Sequence, residues 1–199
     1  ANLNTKHVIV GMDFHFAKDR SGSVETLREL GLEYEFTVDP IEFITQQDKK
    51  ISSTTIRQLL IEQDIETANL MLGRNYSVLG EVIEGKQIGR TIGFPTANID
   101  INTRDVLLRG VFCVKAAIES SDIQHNGLAN IGFKPTVNGN ALTLEVHLLN
   151  FNEDIYGLNM QIEFMHRIRG EKKFDDLDEL TDQINQDVKK ANEYFSKNQ

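Results

Sequence analysis

Two textures of apolar and polar positions meet near residue 73. Before it, helical and strand-like periods alternate. Lys6-His7-Val8-Ile9-Val10-Gly11 is an apolar, β-branched run ending in glycine, which predicts a buried strand of an α/β sheet. Ser23 caps a predicted helix through Leu30, with Gly31 as its stop, and residues 33–38 predict a second strand. Ser52 or Ser53 caps a predicted helix over 54–62. Asp64 caps another, with Ala68, Leu70, Met71 and Leu72 as its apolar residues and Gly73 as its end. Residues 1–72 thus read strand–helix–strand–helix–helix. That is too few strands for an independent doubly wound sheet, so the segment is expected to be the second half of a larger module.

After Gly73 short strands alternate with turn residues. Residues 78–83, 111–118, 124–131, 142–149 and 160–168 are the candidates, and their spacing predicts a small antiparallel barrel. The chain closes with Leu177, Leu180, Ile184, Val188, Ala191 and Phe195, spaced 3, 4, 4, 3 and 4. This is one apolar stripe on a long helix that covers the barrel, with acidic residues in its first turn and lysine in its last.

Composition narrows the function. The chain has 199 residues, 40% of them hydrophobic and 26% charged, enough for a real core. It has no run of about 18 apolar residues, so no membrane partner is expected. A single cysteine, Cys113, excludes a disulfide framework and fits a cytoplasmic location. The formal charge of -9 argues against nucleic acid. It sits less easily with a phosphate substrate, until the charges are located. Residues 1–72 carry 7 positive and 12 negative side chains, residues 73–170 carry 9 and 10, and residues 171–199 carry 5 and 8. The middle is nearly neutral. The chain opens without an initiator Met or a basic-apolar leader, as if cut from a longer one.

Gly80-Glu81-Val82-Ile83-Glu84-Gly85-Lys86 matches the glycine and lysine spacing of a P-loop. Gln87 stands where a magnesium-binding hydroxyl belongs, two glutamates would face the phosphates, and 78–83 is already a strand. The reading is rejected. More informative is Gly85-Lys86-Gln87-Ile88-Gly89-Arg90-Thr91-Ile92-Gly93-Phe94-Pro95-Thr96-Ala97-Asn98. Its glycines permit close backbone approach, and Lys86 and Arg90 can neutralise phosphate oxygens. Thr96 and Asn98 stand at i and i+2, so in an extended segment their oxygens point the same way. A hydroxyl and an amide oxygen suit Mg²⁺, which keeps water and phosphate among its ligands. The alternative is an ordinary glycine-rich hairpin loop.

In Leu142-Thr143-Leu144-Glu145-Val146-His147-Leu148 the leucines and Val146 share one face, and Thr143, Glu145 and His147 the other. Glu145 is a solvated carboxylate unless that face is the inside of a barrel mouth, where it becomes a general base. His147, two residues on, either tunes it or is a surface histidine. Arg167 and Arg169 alternate with Ile168 and are expected to share a face. An arginine followed by Phe174 can hold a planar ligand, or can mark a solvated strand end. Ile131-Gly132-Phe133-Lys134-Pro135-Thr136 echoes Ile92-Gly93-Phe94-Pro95-Thr96 locally and sets no repeat.

Taken together, Gly89 to Asn98, Ala129-Asn130-Ile131-Gly132 with Pro135-Thr136-Val137, Leu144 to Leu149, Asp154-Ile155-Tyr156-Gly157 and Ile168 to Phe174 follow the order seen in riboflavin kinases, which this part of the chain resembles. Upstream, Val10-Gly11-Met12-Asp13-Phe14-His15-Phe16 and Ile51-Ser52-Ser53-Thr54-Thr55-Ile56-Arg57 resemble later motifs of the FMN adenylyltransferase module. The whole chain is similar to the bacterial family of bifunctional riboflavin kinase/FMN adenylyltransferases, the FAD synthetases. The resemblance implies a partial Rossmann-like nucleotidyltransferase module over 1–72 and a β-barrel kinase domain with a C-terminal helix over 73–199.

It also implies roles. Thr96 and Asn98 would hold Mg²⁺. Lys86, Gly89 and Arg90 would cover ATP, with Tyr156 near it. Glu145 would be the catalytic base, and Arg169 and Phe174 would lie near the flavin. Ser52, Ser53, Thr54 and Arg57 would be the residual ATP motif of the adenylyltransferase. The family's His-x-Gly-His loop is absent from the sequence, and His15 and Ala17 replace the usual Arg and Gly of the Asp-Phe-x-Phe-Gly motif. The expected activity is therefore phosphorylation of riboflavin to FMN with Mg-ATP, without adenylylation to FAD, by a monomer or weak oligomer whose partners are its small substrates. The alternatives are a flavin or nucleotide binder without turnover, and an interaction fragment. The binder has no need of a carboxylate beside the Thr/Asn pair.

Overall fold

A computed structural model describes residues 4–46, 49–85, 87–101, 105–119, 121, 123–136 and 139–198. The chain divides into two compact units, Ala1–Ser52 and Ser53–Gln199.

In the first unit, strand β1 (His7–Gly11) pairs in parallel with β2 (Thr37–Ile41), and helix α1 (Val24–Tyr34) connects them. Short strands β3 (Thr45–Gln46) and β4 (Lys49–Lys50) form a separate antiparallel pair. Ser23 caps α1 in a reciprocal box: its Oγ accepts the Thr26 N–H, and Thr26 Oγ1 accepts the Ser23 N–H. Three expectations need correction. The helix does not stop at Gly31 but runs on to Tyr34, and Glu35 closes it in the left-handed region. Gly31 is there for proximity, since a Cβ on it would lie 2.6 Å from the Phe36 carbonyl oxygen. The second strand consequently begins at Thr37 rather than Glu33. Finally, β1 is not buried: among the described residues it pairs with β2 alone, and Ile9 is 60% exposed.

The second unit opens with α2 (Ser53–Ile61) and α3 (Ile65–Leu72). Asp64 caps α3 through the Thr67 N–H, and Gly73 ends it at φ 66°. These helices are stitched to the strands that follow. Asn69 donates to the Phe164 carbonyl and accepts the Tyr76 N–H, both at 2.7 Å. Gln63 accepts the Arg109 N–H and donates to the Leu107 carbonyl.

Six strands then close a barrel: β5 (Tyr76–Ile83), β6 (Ala97–Ile99), β7 (Gly110–Ile118), β8 (Gln124–Thr136), β9 (Gly139–Leu148) and β10 (Asn159–Arg169). Their order around it is β10-β5-β6-β9-β8-β7, every neighbouring pair antiparallel. Alternation along each strand fills the interior with Val82, Phe112, Val114, Ile131, Leu144, Val146, Met160, Ile162 and Phe164, each under 2% exposed. Phe112 and Phe164 meet edge to face at 5.6 Å. The short helix α4 (Ile88–Thr91) lies in the glycine-rich stretch, where the sequence pattern showed none. Helix α5 (Leu177–Lys197), capped by Asp176, ends the chain. Its last turns seat Ala191 and Phe195 on Val111, Cys113 and Leu128, the outward residues of β7 and β8.

Candidate active site

One row of residues crosses five strands on the outer face of the barrel. Asn98 on β6 stands opposite Glu145 on β9, which stands opposite Asn130 on β8; Asn130 in turn faces Val111 on β7, and Val111 faces Arg169 on β10. The sequence treated Glu145 as a base only if its face lined the inside of a barrel mouth. The register puts it outside, because Leu144 and Val146 take the interior. It escapes solvation because other elements roof that outer face.

The roof encloses a cavity of about 390 Å³. Gly89, Phe94 and Thr96 supply one wall; Leu180, Ile184 and Asp187 of α5 supply another; Arg169 and Phe174 close the end. The apolar stripe of α5 is therefore divided. Its early residues line the cavity, and its late ones hold the helix to the barrel.

Arg169 reaches this row because β10 is bulged. The register slips between Phe164 and His166 and again between Arg167 and Arg169, leaving Arg167 opposite the inward Phe112 and Arg169 opposite the outward Val111. The two arginines thus do not share a face, contrary to simple alternation. Arg169 gives both Nε and Nη2 to Asp187 Oδ2 at 2.8 Å, and Gln183 donates to Asp187 Oδ1 at 3.0 Å. Asp187 is 2% exposed, and its carboxylate is satisfied on both oxygens. The Arg169 guanidinium lies 5.8 Å from the centre of the Phe174 ring, and Lys172 Nζ lies 5.3 Å from it. Lys172 also bonds Glu179 at 2.8 Å, which holds the Glu179 carboxyl below its ordinary range.

Glu145 is paired with a cation. Lys134, four residues beyond Asn130 on the same face of β8, donates to Glu145 Oε1. Gly132 lies between them and leaves the space open: a Cβ there would fall 1.9 Å from Glu171 Oε1, whose carboxylate occupies the place of the missing side chain. His147, next on the polar face of β9, lies against the segment that precedes Thr96. Its Nδ1 is 2.8 Å from the Pro95 carbonyl oxygen, and its ring meets Phe94 edge-on at 5.6 Å.

A second cavity, of about 260 Å³, opens on the opposite face of β9 at the barrel end. It is lined by Val82 and Val146 from the interior and by Arg90, Thr96, Asp154 and Tyr156. Thr96 borders both cavities. Two residues on, the Asn98 amide rests against Gly85, where a Cβ would lie 2.1 Å from Nδ2.

The expected residues therefore assort by cavity. Glu145, Thr96, Gly89, Arg169 and Phe174 line the larger, while Arg90, Thr96 and Tyr156 line the smaller. Asn98 stands beside Glu145 in the strand row. Lys86 lies outside the described residues. Ser53, Thr54 and Arg57 sit on α2, Ser52 closes the first unit, and none of the four lines either cavity. Sequence reasoning missed Lys134, Asn130, Glu171 and Asp187. Asp187 carried a signal: it falls on the apolar stripe between Ile184 and Ala191, where a carboxylate is out of place without a partner.

Two cavities sharing one hydroxyl-bearing wall, with a carboxylate on one side and an arginine on the other, fit a group passed between two ligands. Comparison with known proteins agrees. The riboflavin kinase family model matches residues 72–195, and the FAD synthetase model matches residues 1–55. The chain is 40% identical over 195 residues to the bifunctional riboflavin kinase/FMN adenylyltransferase of Haemophilus influenzae. It is 41% identical over 198 residues to that of Bacillus subtilis. Each alignment takes in 98% of this chain but only 63% and 62% of the respective relative. A crystal structure described as a macrolide-efflux protein from Streptococcus pneumoniae superposes with a TM-score of 0.82 at 32% identity, over 94% of this chain and 60% of that one. The chain belongs to the riboflavin kinase family.

Proposed function

We propose that the chain transfers the γ-phosphoryl group of ATP to the 5′-hydroxyl of riboflavin, giving FMN and ADP. The observation that carries this reading is the position of Thr96 on the wall common to both cavities, with Glu145 across the larger one. Riboflavin occupies the larger cavity, its ring toward Arg169 and Phe174 and its ribityl end toward Glu145. ATP occupies the smaller, beside Arg90 and Tyr156, with its terminal phosphate toward Thr96.

The ribityl oxygen attacks phosphorus, the bond from phosphorus to the β,γ-bridging oxygen breaks, and ADP leaves. The ribityl proton passes to Glu145. Lys134 engages Oε1 of that carboxylate, so the acceptor is Oε2. Thr96, immediately ahead of β6, and Asn98 on it, cradled at Gly85, are neutral oxygen donors two residues apart and fit Mg²⁺. The ion would spread the charge that develops on the transferred phosphoryl. The rest of catalysis is placement: holding the two substrates on either side of Thr96 spares them a bimolecular encounter.

Among the described residues no helix is long and apolar enough to cross a membrane. We place the reaction in the cytoplasm, in keeping with a single, buried, unpaired Cys113.

Replacing Glu145 with Gln keeps the shape and removes the proton acceptor. FMN formation should fall about 10²–10⁴-fold, while riboflavin binding, read from quenching of its fluorescence, persists. Unchanged turnover in that variant removes the assignment of Glu145 as base.

A further inference from the structure

The segment carrying Thr96 is closed on itself. The Phe94 N–H donates to the Gly89 carbonyl at 2.8 Å, wrapping α4 into a compact turn. A Cβ on Gly89 would strike the Phe94 carbonyl oxygen at 2.3 Å, so the turn tolerates no larger residue there. Pairing to β9 begins only at Ala97, opposite Val146. Ahead of that point, His147 reaches the segment from the barrel wall. It bonds the Pro95 carbonyl at 2.8 Å and takes the Phe94 ring on its edge at 5.6 Å.

His147 and Glu145 stand two residues apart on one strand, so their side chains leave the same face of β9. Thr96 follows directly on the anchored Pro95 carbonyl. The His147 contact therefore ties the position of Thr96 to the strand that positions Glu145. Nδ1 must carry the proton to donate to a carbonyl, and it does so in both the neutral Nδ1–H tautomer and the imidazolium. The tether accordingly does not depend on the charge of the ring.

We propose that His147 is a positioning residue: it fixes Thr96 of the glycine-rich segment against the Glu145 strand, so that the two cavities keep the separation that transfer requires. The proposal rests on the kinase reading given above, and its role is distinct from proton transfer. A displaced Thr96 costs rate and affinity on the ATP side, because α4 and Arg90 move with it. The flavin cavity keeps its other walls.

The test compares His147→Leu, which removes the donor, with His147→Asn, whose amide nitrogen stands near the place of Nδ1. In steady-state assays with riboflavin and Mg-ATP, His147→Leu should lower kcat by about ten- to a hundredfold. It should raise KM for Mg-ATP more than KM for riboflavin, and His147→Asn should recover most of both. Equal loss in the two variants, with a limb of the wild-type kcat profile at the pKa of a histidine, would make His147 a proton carrier and overturn the proposal. Hydrogen exchange reads the tether without turnover: amides of residues 89–94 should exchange faster in His147→Leu than in the wild type while the barrel strands keep their protection. Unchanged exchange there overturns the tether even if activity falls. Absence of FMN from the wild type overturns the kinase reading instead, and leaves the exchange comparison to decide the tether.

Discussion

Asp187 and Arg169 illustrate how single residues set the larger cavity. The Asp187 side chain is almost wholly buried and that of Arg169 is 19% exposed, so removing one partner strands the other in a poorly hydrated place. Asp187→Ala should cost about 3 kcal/mol of stability, measured by urea denaturation, and weaken riboflavin binding by releasing Arg169. Asp187→Asn, which keeps the shape but loses the charge, should fall between it and the wild type. A carboxylate on an apolar stripe was legible in the sequence as an anomaly, but its partner was not, because the bulge that brings Arg169 to the outer row leaves no mark in the alternation of β10.

Cys113 shows a burial effect of another kind. Enclosure under α5, and secondarily the charge of Glu66, push its thiol up to about 12. The native protein should therefore react with alkylating agents only as fast as it opens, whereas the unfolded chain reacts at once. Because the folded thiol titrates above the unfolded one, its contribution to stability is whole below about pH 9 and is lost between there and about pH 12. Denaturation midpoints of the wild type should fall over that window more steeply than those of Cys113→Ala; parallel curves would contradict the shift.

At the scale of elements, five of the six barrel strands and the closing helix were legible because one face of each is apolar and buried; β6, only three residues long, was not predicted. β7, β9, β10 and α5 fall within two or three residues of the pattern. Where the reading failed, the apolar pattern did not carry the deciding feature. Gly31 permits Phe36 to approach rather than ending α1, and the exposed β1 reads as buried because its apolar run is the same whether or not a sheet covers it. α4 is a four-residue helix held by the Gly89–Phe94 turn, too short to show a period. That turn makes a prediction. Gly89→Ala drives a methyl into the Phe94 carbonyl oxygen and should raise KM for Mg-ATP strongly, while the melting temperature, set by the barrel core, moves by only a few degrees. Calorimetry beside steady-state kinetics checks both halves.

Across the whole molecule, the two family matches divide the chain unequally, over residues 1–55 and 72–195. Helices α2 and α3 pack within the unit that contains the barrel, stitched through Asn69 and Gln63, although Ser53, Thr54 and Arg57 on α2 belong to a motif resembling the adenylyltransferase. The charge divides as well: residues 73–170 carry nearly balanced charge, and most of the -9 lies before and after them. Affinity for ATP is thus compatible with an acidic chain. The riboflavin kinase family match covers residues 72–195, which hold both cavities and Glu145, whereas no pair of histidines in the sequence has His-x-Gly-His spacing. Supplied with FMN and ATP, the 199-residue chain should form no FAD, and detection of FAD by chromatography would show that residues 1–72 suffice for adenylyl transfer.

The central claim is phosphoryl transfer from ATP to riboflavin across the wall formed by Thr96. Chromatography of one reaction containing the chain, riboflavin, ATP and Mg²⁺ tests it most directly: FMN and ADP should appear in equal amounts, and both should form about 10²–10⁴-fold more slowly when Glu145 is replaced by Gln. Riboflavin that is bound, with its fluorescence quenched, yet recovered unchanged beside intact ATP would contradict it.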